Sequence, residues 1–320
     1  MNNMGIVFLD GFTNNPGDIS WEVLEKLGEF TVYDRTNLNE LESRAKDAEI
    51  IIVNKFVINE ASLALMPKVK YIAVAATGYN NIDLVAVKNR NIPVSNVRGY
   101  STESVTQHVF ASIFALFNRI DYYNQEVKTA RWSKSQDFCF YDHSIRDISG
   151  LTFGIFGLGT IGTQVAKVAN AFGAEVIATS RTEQKDLPDY IKKVAKEELF
   201  EKSDILSLHS PLTDETKGIV NKTNLKLMKP DAILINTSRG GLVVENDLFY
   251  ALDHGVIAAA ALDVLDKEPP HFTNPLVNHQ LCLMTPHIAW ASRNARKKLL
   301  DGIAENIVSY MNGSVHNAIY

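Results

Sequence analysis

Three residues late in the chain have the side chains that proton transfer on a carboxylic acid needs: Arg239, Glu268 and His287. Arg239 lies in INTSRGG, Glu268 in ALDVLDKEPP and His287 in TPHIAW, and each stretch follows an apolar run that reads as a buried strand. In an open parallel sheet, ligands bind outside the carboxyl ends of the strands, so the three side chains are expected at one rim. An arginine can hold an α-carboxylate and polarise the carbonyl beside it. A histidine can carry a proton at physiological pH, and a neighbouring carboxylate favours the imidazolium. Taken singly, each has a plainer reading: a loop cation, a solvated turn, a helix cap. His108 and His254 read as structural.

A fourth stretch adds a ligand. GIFGLGTIG, Gly154 to Gly162, spaces Gly157, Gly159 and Gly162 as G-x-G-x-x-G after an apolar strand and at the start of a helix. The first glycine permits a tight turn, the second lets backbone approach a pyrophosphate, and the third lets helix pack on strand. The amides of Thr160 and Ile161 open the helix, where donors and dipole favour phosphate. A dinucleotide is therefore expected. An NAD site places an Asp or Glu about 20 residues past the glycines, on the ribose 2′-hydroxyl. Here that place holds Ser180, followed by Arg181. A hydroxyl and a charged fork accept a 2′-phosphate, although Arg181 could equally stack on an adenine or sit in solvent. The expected cofactor is NAD(H) or NADP(H), with Ser180–Arg181 leaning towards NADP(H).

The elements that must position these residues alternate between strand and helix. MGIVFLD, FTVYD, EIIIVNK, YIAVAA and IPVSNV read as strands, separated by helical stretches such as NELESRAKDA and NIDLVAVKNR. Ser20 and Gly28 bracket a further helix in SWEVLEKLG. One long helical stretch is expected from about Thr102 to Val127, then an aromatic-rich connection to the glycine turn. After the turn the alternation resumes, and the chain closes with one long helix. Such alternation means parallel sheets covered on both faces, here two α/β units of which only the second has a glycine turn.

Bulk properties agree. The chain has 320 residues, 46% of them hydrophobic and 22% charged, with a net charge of −5. That length predicts two domains. The acidic balance, with no Lys/Arg block, gives no support to a nucleic-acid surface. Two cysteines, Cys139 and Cys282, lie in no metal-ligand spacing, so no metal site is expected and two free thiols in a reducing compartment are. The N-terminal stretch has no basic leader and no run is long enough to span a membrane, so a cytoplasmic location is expected.

In order and spacing, ATGYNNID (Ala76–Asp83), GLGTIG, HSPLT (His209–Thr213), MKPDAILINTSRGGLV, ALDV…EPP and TPHIAW resemble the D-isomer-specific 2-hydroxyacid dehydrogenase family. FLDG…GDISWEVLEKLGE and PDAILINTSRGG look most like its glycerate dehydrogenase (hydroxypyruvate reductase) branch. The resemblance covers essentially the whole chain. It implies a Rossmann dinucleotide-binding domain, 101–290, inserted into a flavodoxin-like substrate domain, 1–100 plus 291–320, with a catalytic cleft between them.

The resemblance also implies roles. Arg239 binds the substrate carboxylate and C2 oxygen, His287 donates the proton to that oxygen, and Glu268 pairs with His287. Asp263 holds the nicotinamide carboxamide. The backbone of Thr77 and Gly78 completes the carboxylate site, while His209, Pro211 and Thr237 lie along the cofactor. Relatives pair through the region from Thr102 to Tyr141, so a homodimer is expected. The implied reaction is hydride transfer between a nicotinamide and a small D-2-hydroxy acid or 2-keto acid, with hydroxypyruvate to D-glycerate foremost. Glyoxylate, a bulkier keto acid or 3-phosphoglycerate are the rival substrates, and Lys55 is a candidate reader of them or a surface lysine. A rival of another class is a dinucleotide-sensing, partner-binding protein, which would show little turnover.

Overall fold

The computed structural model describes residues 4–320; Met1 to Asn3, part of the stretch read above as lacking a leader, lie outside the described residues. The contacts divide the chain into two units, one running to Ser101 and resuming at Trp290–Tyr320, the other Thr102–Ala289.

The first unit is built on β1 (Gly5–Phe8), β2 (Glu29–Val32), β3 (Ile50–Val53), β4 (Tyr71–Val74) and β5 (Val94–Ser95), all parallel, in the order β2-β1-β3-β4-β5. That is the flavodoxin-like order. Its central strands are buried on both faces, which is why they read as continuous apolar runs rather than alternating ones. Alternate residues serve different cores. Val7, Ile51, Val53 and Ile72 meet α2 (Leu38–Ala45), α3 (Glu60–Ala64) and α4 (Leu84–Asn89). Phe8, Ile50, Ile52 and Tyr71 meet Leu24 of α1 (Glu22–Glu25). The Glu22 amide donates to Ser20 Oγ at 3.1 Å, but the N-cap of α1 is Trp21 rather than Ser20 and the helix is a single turn. Gly28 is needed for close approach, because a Cβ there would lie 2.5 Å from the Met4 carbonyl oxygen.

The second unit opens with helices. The stretch expected to be one helix is two, α5 (Thr102–Asn118) and α6 (Ile120–Lys128), broken at Arg119 with φ of 47°. No glycine or proline marks that break. The sheet follows: β6 (Thr152–Phe156), β7 (Glu175–Thr179), β8 (Ile191–Lys193), β9 (Ile205–Leu208), β10 (Ile233–Asn236), β11 (Ala259–Leu262) and β12 (Cys282–Met284). All are parallel, in the order β12-β11-β10-β9-β6-β7-β8. This is the doubly wound dinucleotide-binding order, reversing direction between β6 and β9, with a further strand at one edge.

One sheet face packs on α5 and α7 (Thr160–Ala171) through Val109, Phe110, Ile113, Val165 and Ala169. The other packs on α8 (Lys196–Lys202), α9 (Lys222–Leu225) and α10 (Glu245–Asp253). Both β8 and α8 escape the sequence reading, since they are short and rich in lysine and glutamate. The last helix, α11 (Arg293–Met311), belongs to the first unit. It buries Leu299, Leu300, Ile303 and Ile307 in the same core as Phe8 and Tyr71. Among the described residues, no helix is long and apolar enough to cross a membrane.

Candidate active site

In the turn after β6 the three glycines sit in different surroundings. Gly157 has φ of 100°, and a Cβ there would lie 2.9 Å from the Ser210 amide of the neighbouring strand end. At Gly162 a Cβ would lie 2.1 Å from the Gly157 carbonyl, so only glycine lets α7 start this close to its strand. Gly159 faces open space, with nothing within 4 Å of a Cβ position. It is the N-cap of α7, and no side chain among the described residues caps the helix. The first amides, at Thr160 and Ile161, therefore head a twelve-residue helix whose dipole favours an anion.

Across the switch point, His209 follows β9, its amide donating to the Phe156 carbonyl at 2.8 Å. Its Nε2 lies 2.8 Å from the hydroxyl of fully buried Ser207, and burial pushes the imidazole down to about 4. His209 is thus neutral at physiological pH. After β10, the Thr237 hydroxyl is buried with no hydrogen-bond partner among the described residues. A buried orphan of that kind costs about 1–3 kcal/mol, so it is a group waiting for a polar ligand. The open ground before Gly159, the uncapped helix end and the Thr237 hydroxyl together fit a dinucleotide. Past β7, the Ser180 hydroxyl accepts from the Thr182 amide at 3.0 Å, Arg181 is exposed, and so is Pro211.

Arg239, Glu268 and His287 stand past the carboxyl ends of β10, β11 and β12, three adjacent strands. His287 Nδ1 lies 2.6 Å from Glu268 Oε2. The other Glu268 oxygen accepts from the Leu265 amide at 3.0 Å, which fixes the plane of the carboxylate. The Glu268 loop is anchored in turn by Glu245, which accepts from the Asp266 amide at 2.8 Å and the Asn274 side chain at 2.6 Å.

Arg239 reaches this loop through its neighbour. A Cβ on Gly240 would lie 1.8 Å from the Leu265 carbonyl carbon, so the Arg239 turn presses directly on the backbone that orients Glu268. The turn is held by Asn236, whose side chain donates to the Arg239 carbonyl at 2.9 Å and accepts from the Ser238 amide at 3.0 Å. The half-buried guanidinium donates to the Ser238 carbonyl at 2.6 Å.

Asp263 has a structural task beside any cofactor contact. Its buried carboxylate accepts from the Thr285 hydroxyl at 2.6 Å, the Ile288 amide at 2.9 Å and the Ala289 amide at 2.8 Å. Its carbonyl accepts from the His287 amide at 2.8 Å. A carboxylate has about four acceptor positions, so one remains for a ligand amide. His287 itself has φ of 55°. Left-handed backbone at a residue with a Cβ costs on the order of 1 kcal/mol, which the four bonds to Asp263 offset.

Thr77 and Gly78 lie in the other unit, after β4. The Thr77 hydroxyl donates to the Val97 carbonyl at 2.9 Å and its carbonyl accepts from the Asn96 side chain at 2.6 Å, which stiffens that loop. Lys55 follows β3, where Asp10 accepts from the amides of Asn54, Lys55 and Phe56 at 2.6–2.7 Å. Sequence reasoning gave no role to Thr285, Ser104 or the Asp263 clamp, and set His108 aside as structural. These contacts join residues up to 185 positions apart, and no local pattern signals them.

The family model for the NAD binding domain of D-isomer specific 2-hydroxyacid dehydrogenases matches residues 110–289. A hydroxypyruvate reductase from Blautia hydrogenotrophica is 40% identical over 320 residues, 99% of each chain. A glycerate dehydrogenase from Methylorubrum extorquens is 40% identical over 294 residues, covering 91% of this chain and 92% of its own. Among solved structures, an acyclic imino acid reductase in complex with NADPH and D-Arg superposes with a TM-score of 0.86 at 33% identity, covering 99% of this chain and all of its own. A nicotinamide-dinucleotide fold with an Arg, Glu and His on adjacent strand ends, matched over its whole length by such relatives, places the chain in the D-isomer specific 2-hydroxyacid dehydrogenase family, the oxidoreductases of 2-hydroxy acids.

Proposed function

We propose that the chain reduces a small 2-keto acid to its D-2-hydroxy acid, with hydroxypyruvate to D-glycerate as the leading reaction. The observation that carries this reading is the 2.6 Å contact between His287 Nδ1 and Glu268. It is the acid–base pair that carbonyl reduction requires, set beside Arg239 and a dinucleotide fold. The names of the relatives from Blautia and Methylorubrum point to the same substrate.

Gly157, Gly159, Gly162, Thr160 and Ile161 would hold the pyrophosphate, and His209, Pro211, Thr237 and Asp263 the rest of the cofactor. When bound, the nicotinamide supplies the hydride that C2 of the substrate receives. The chain's own residues do the remainder. Arg239 binds the carboxylate and the C2 oxygen through charge-assisted bonds, which strengthen as negative charge builds on that oxygen. His287 delivers a proton from Nε2 to it. Glu268, at Nδ1, stabilises the imidazolium before transfer and fixes the ring tautomer. Thr77 and Gly78 are assigned to the substrate carboxylate on the family resemblance. The neutral His209 adds no charge to the site.

Ser180 and Arg181 support acceptance of a 2′-phosphate, since neither repels it and Arg181 can pair with it. The exposed thiol of Cys139 suits a reducing cytoplasm. A homodimer is the proposed assembly. Its support is the exposed aromatic surface after α6, where Phe138 is 89% and Tyr141 73% exposed beside Trp132 and Ile145.

Initial rates of NADH and NADPH oxidation with hydroxypyruvate, glyoxylate and pyruvate test the proposal. Hydroxypyruvate is expected to give the highest kcat/KM, and NADPH to be used at least as well as NADH. R181A is expected to weaken NADPH about tenfold and leave NADH nearly unchanged, as loss of a charged pair to phosphate requires. Turnover with none of the three acids would overturn the reading.

A further inference from the structure

Ser104 and His108 stand one turn apart on α5 and so share a face. The Ser104 hydroxyl donates to the Ala289 carbonyl at 2.7 Å. His108 Nε2 lies 3.0 Å from the Thr285 hydroxyl oxygen. That hydroxyl has one proton, and it goes to Asp263 Oδ1, which only accepts. His108 is therefore the donor, and the bonds run in one direction from His108 through Thr285 to Asp263. Bonds aligned in this way polarise and strengthen one another.

The two α5 contacts grip residues 285 and 289, the two ends of a segment whose middle residue is His287. Asp263 holds the same segment from the strand side. The left-handed backbone of His287 is the kind of conformation that persists only where the surroundings over-determine it. An imidazole ring is located by two fixed points. One is Nδ1 against Glu268. The other is the Cα, which the segment sets. Nε2 lies across the ring from Nδ1, so a small shift of the Cα swings it.

We propose that Ser104 and His108 are positioning residues for His287, acting through Ala289 and Thr285 rather than by touching substrate or cofactor. The inference rests on the reading of His287 as the proton donor. A misplacement near 1 Å costs on the order of 100-fold, so H108L and T285V are expected to lower kcat about 10- to 100-fold. The keto-acid KM and the dinucleotide Kd are expected to move less than about threefold, because neither residue binds them. H108Q keeps an N–H donor and is expected to recover most of the loss. S104A is the milder variant should H108L fold poorly.

The decisive measurement is a double-mutant cycle with H287A, accompanied by hydrogen exchange at the amides of His287, Ile288 and Ala289. If His108 acts through His287, H108L/H287A turns over as slowly as H287A alone. Exchange at the three amides rises in H108L and S104A and returns towards the parent value in H108Q. A double variant slower than H287A by the full H108L factor would overturn the proposal. So would unchanged kcat and exchange in both H108L and S104A. A parent protein inactive on every keto acid would instead overturn the proton-donor reading, and the exchange comparison alone would then decide whether α5 holds the segment.

Discussion

At the scale of single residues, His287 is held at two points: its ring by the carboxylate of Glu268 and its amide by the main-chain carbonyl of Asp263. Loss of the ring removes the proposed proton donor and little else. H287A is expected to lower kcat about 10²- to 10⁴-fold, the range for a general acid, with dinucleotide affinity near that of the parent by fluorescence titration. Near-normal turnover would refute the assignment. His209 yields a separate expectation about stability. Its imidazole falls to about 4 from an ordinary 6.5. As pH drops, the unfolded chain therefore takes up the proton first. Stability is whole above about 6.5 and declines between 6.5 and 4, by up to about 3 kcal/mol. Urea titrations across that range should show the decline, and H209N should flatten the part that His209 contributes. The chemistry-bearing residues were the most legible part of the chain, because Arg239, Glu268 and His287 each sit just past an apolar run. The clamp on Asp263 was not legible, because its carboxylate is spent on main-chain amides that any sequence would provide.

At the scale of elements, the turn after β10 and the loop after β11 meet at one backbone contact, Gly240 against Leu265. G240A forces those backbones apart. Overpacking of this kind costs about 1–3 kcal/mol, and here it also moves the amide that orients Glu268. A lower Tm together with a fall in kcat/KM of about tenfold or more is expected; a variant that loses stability but keeps its kinetics would show that Glu268 is oriented by other means. The strands were readable because buried parallel strands are nearly pure Ile, Leu, Val and Ala. The junction between α5 and α6 was not, since the chain turns there on the left-handed Arg119, a residue with no turn preference. Short β8 was hidden by its two lysines.

At the scale of the whole molecule, the exposed aromatic surface after α6 is stiffened by Arg131, whose fork pairs with Asp142 and which also meets Glu126. Such a stiff apolar surface is suited to a second copy of the chain. Light scattering at micromolar concentration is expected to give twice the 35.6 kDa chain mass, and a monomer would remove the assembly proposal. Periodicity alone could not say which unit the last helix joins, and only the family resemblance put it with the first. In the structure, α11 packs on the first unit through Leu299, Ile303 and Ile307, and the fork of Arg296 holds Asp18 at 2.6 Å.

That placement has a consequence for how the protein is made. During synthesis the chain leaves the ribosome in order, and domains fold as units once their residues are out. The second unit is contained in 102–289 and is complete before α11 emerges. The first unit has only the single turn of α1 on one of its faces until α11 is made, and Phe8, Ile52 and Tyr71 wait partly uncovered for it. The chain is therefore built inside out, and its earliest strands are the ones a chaperone has longest to find.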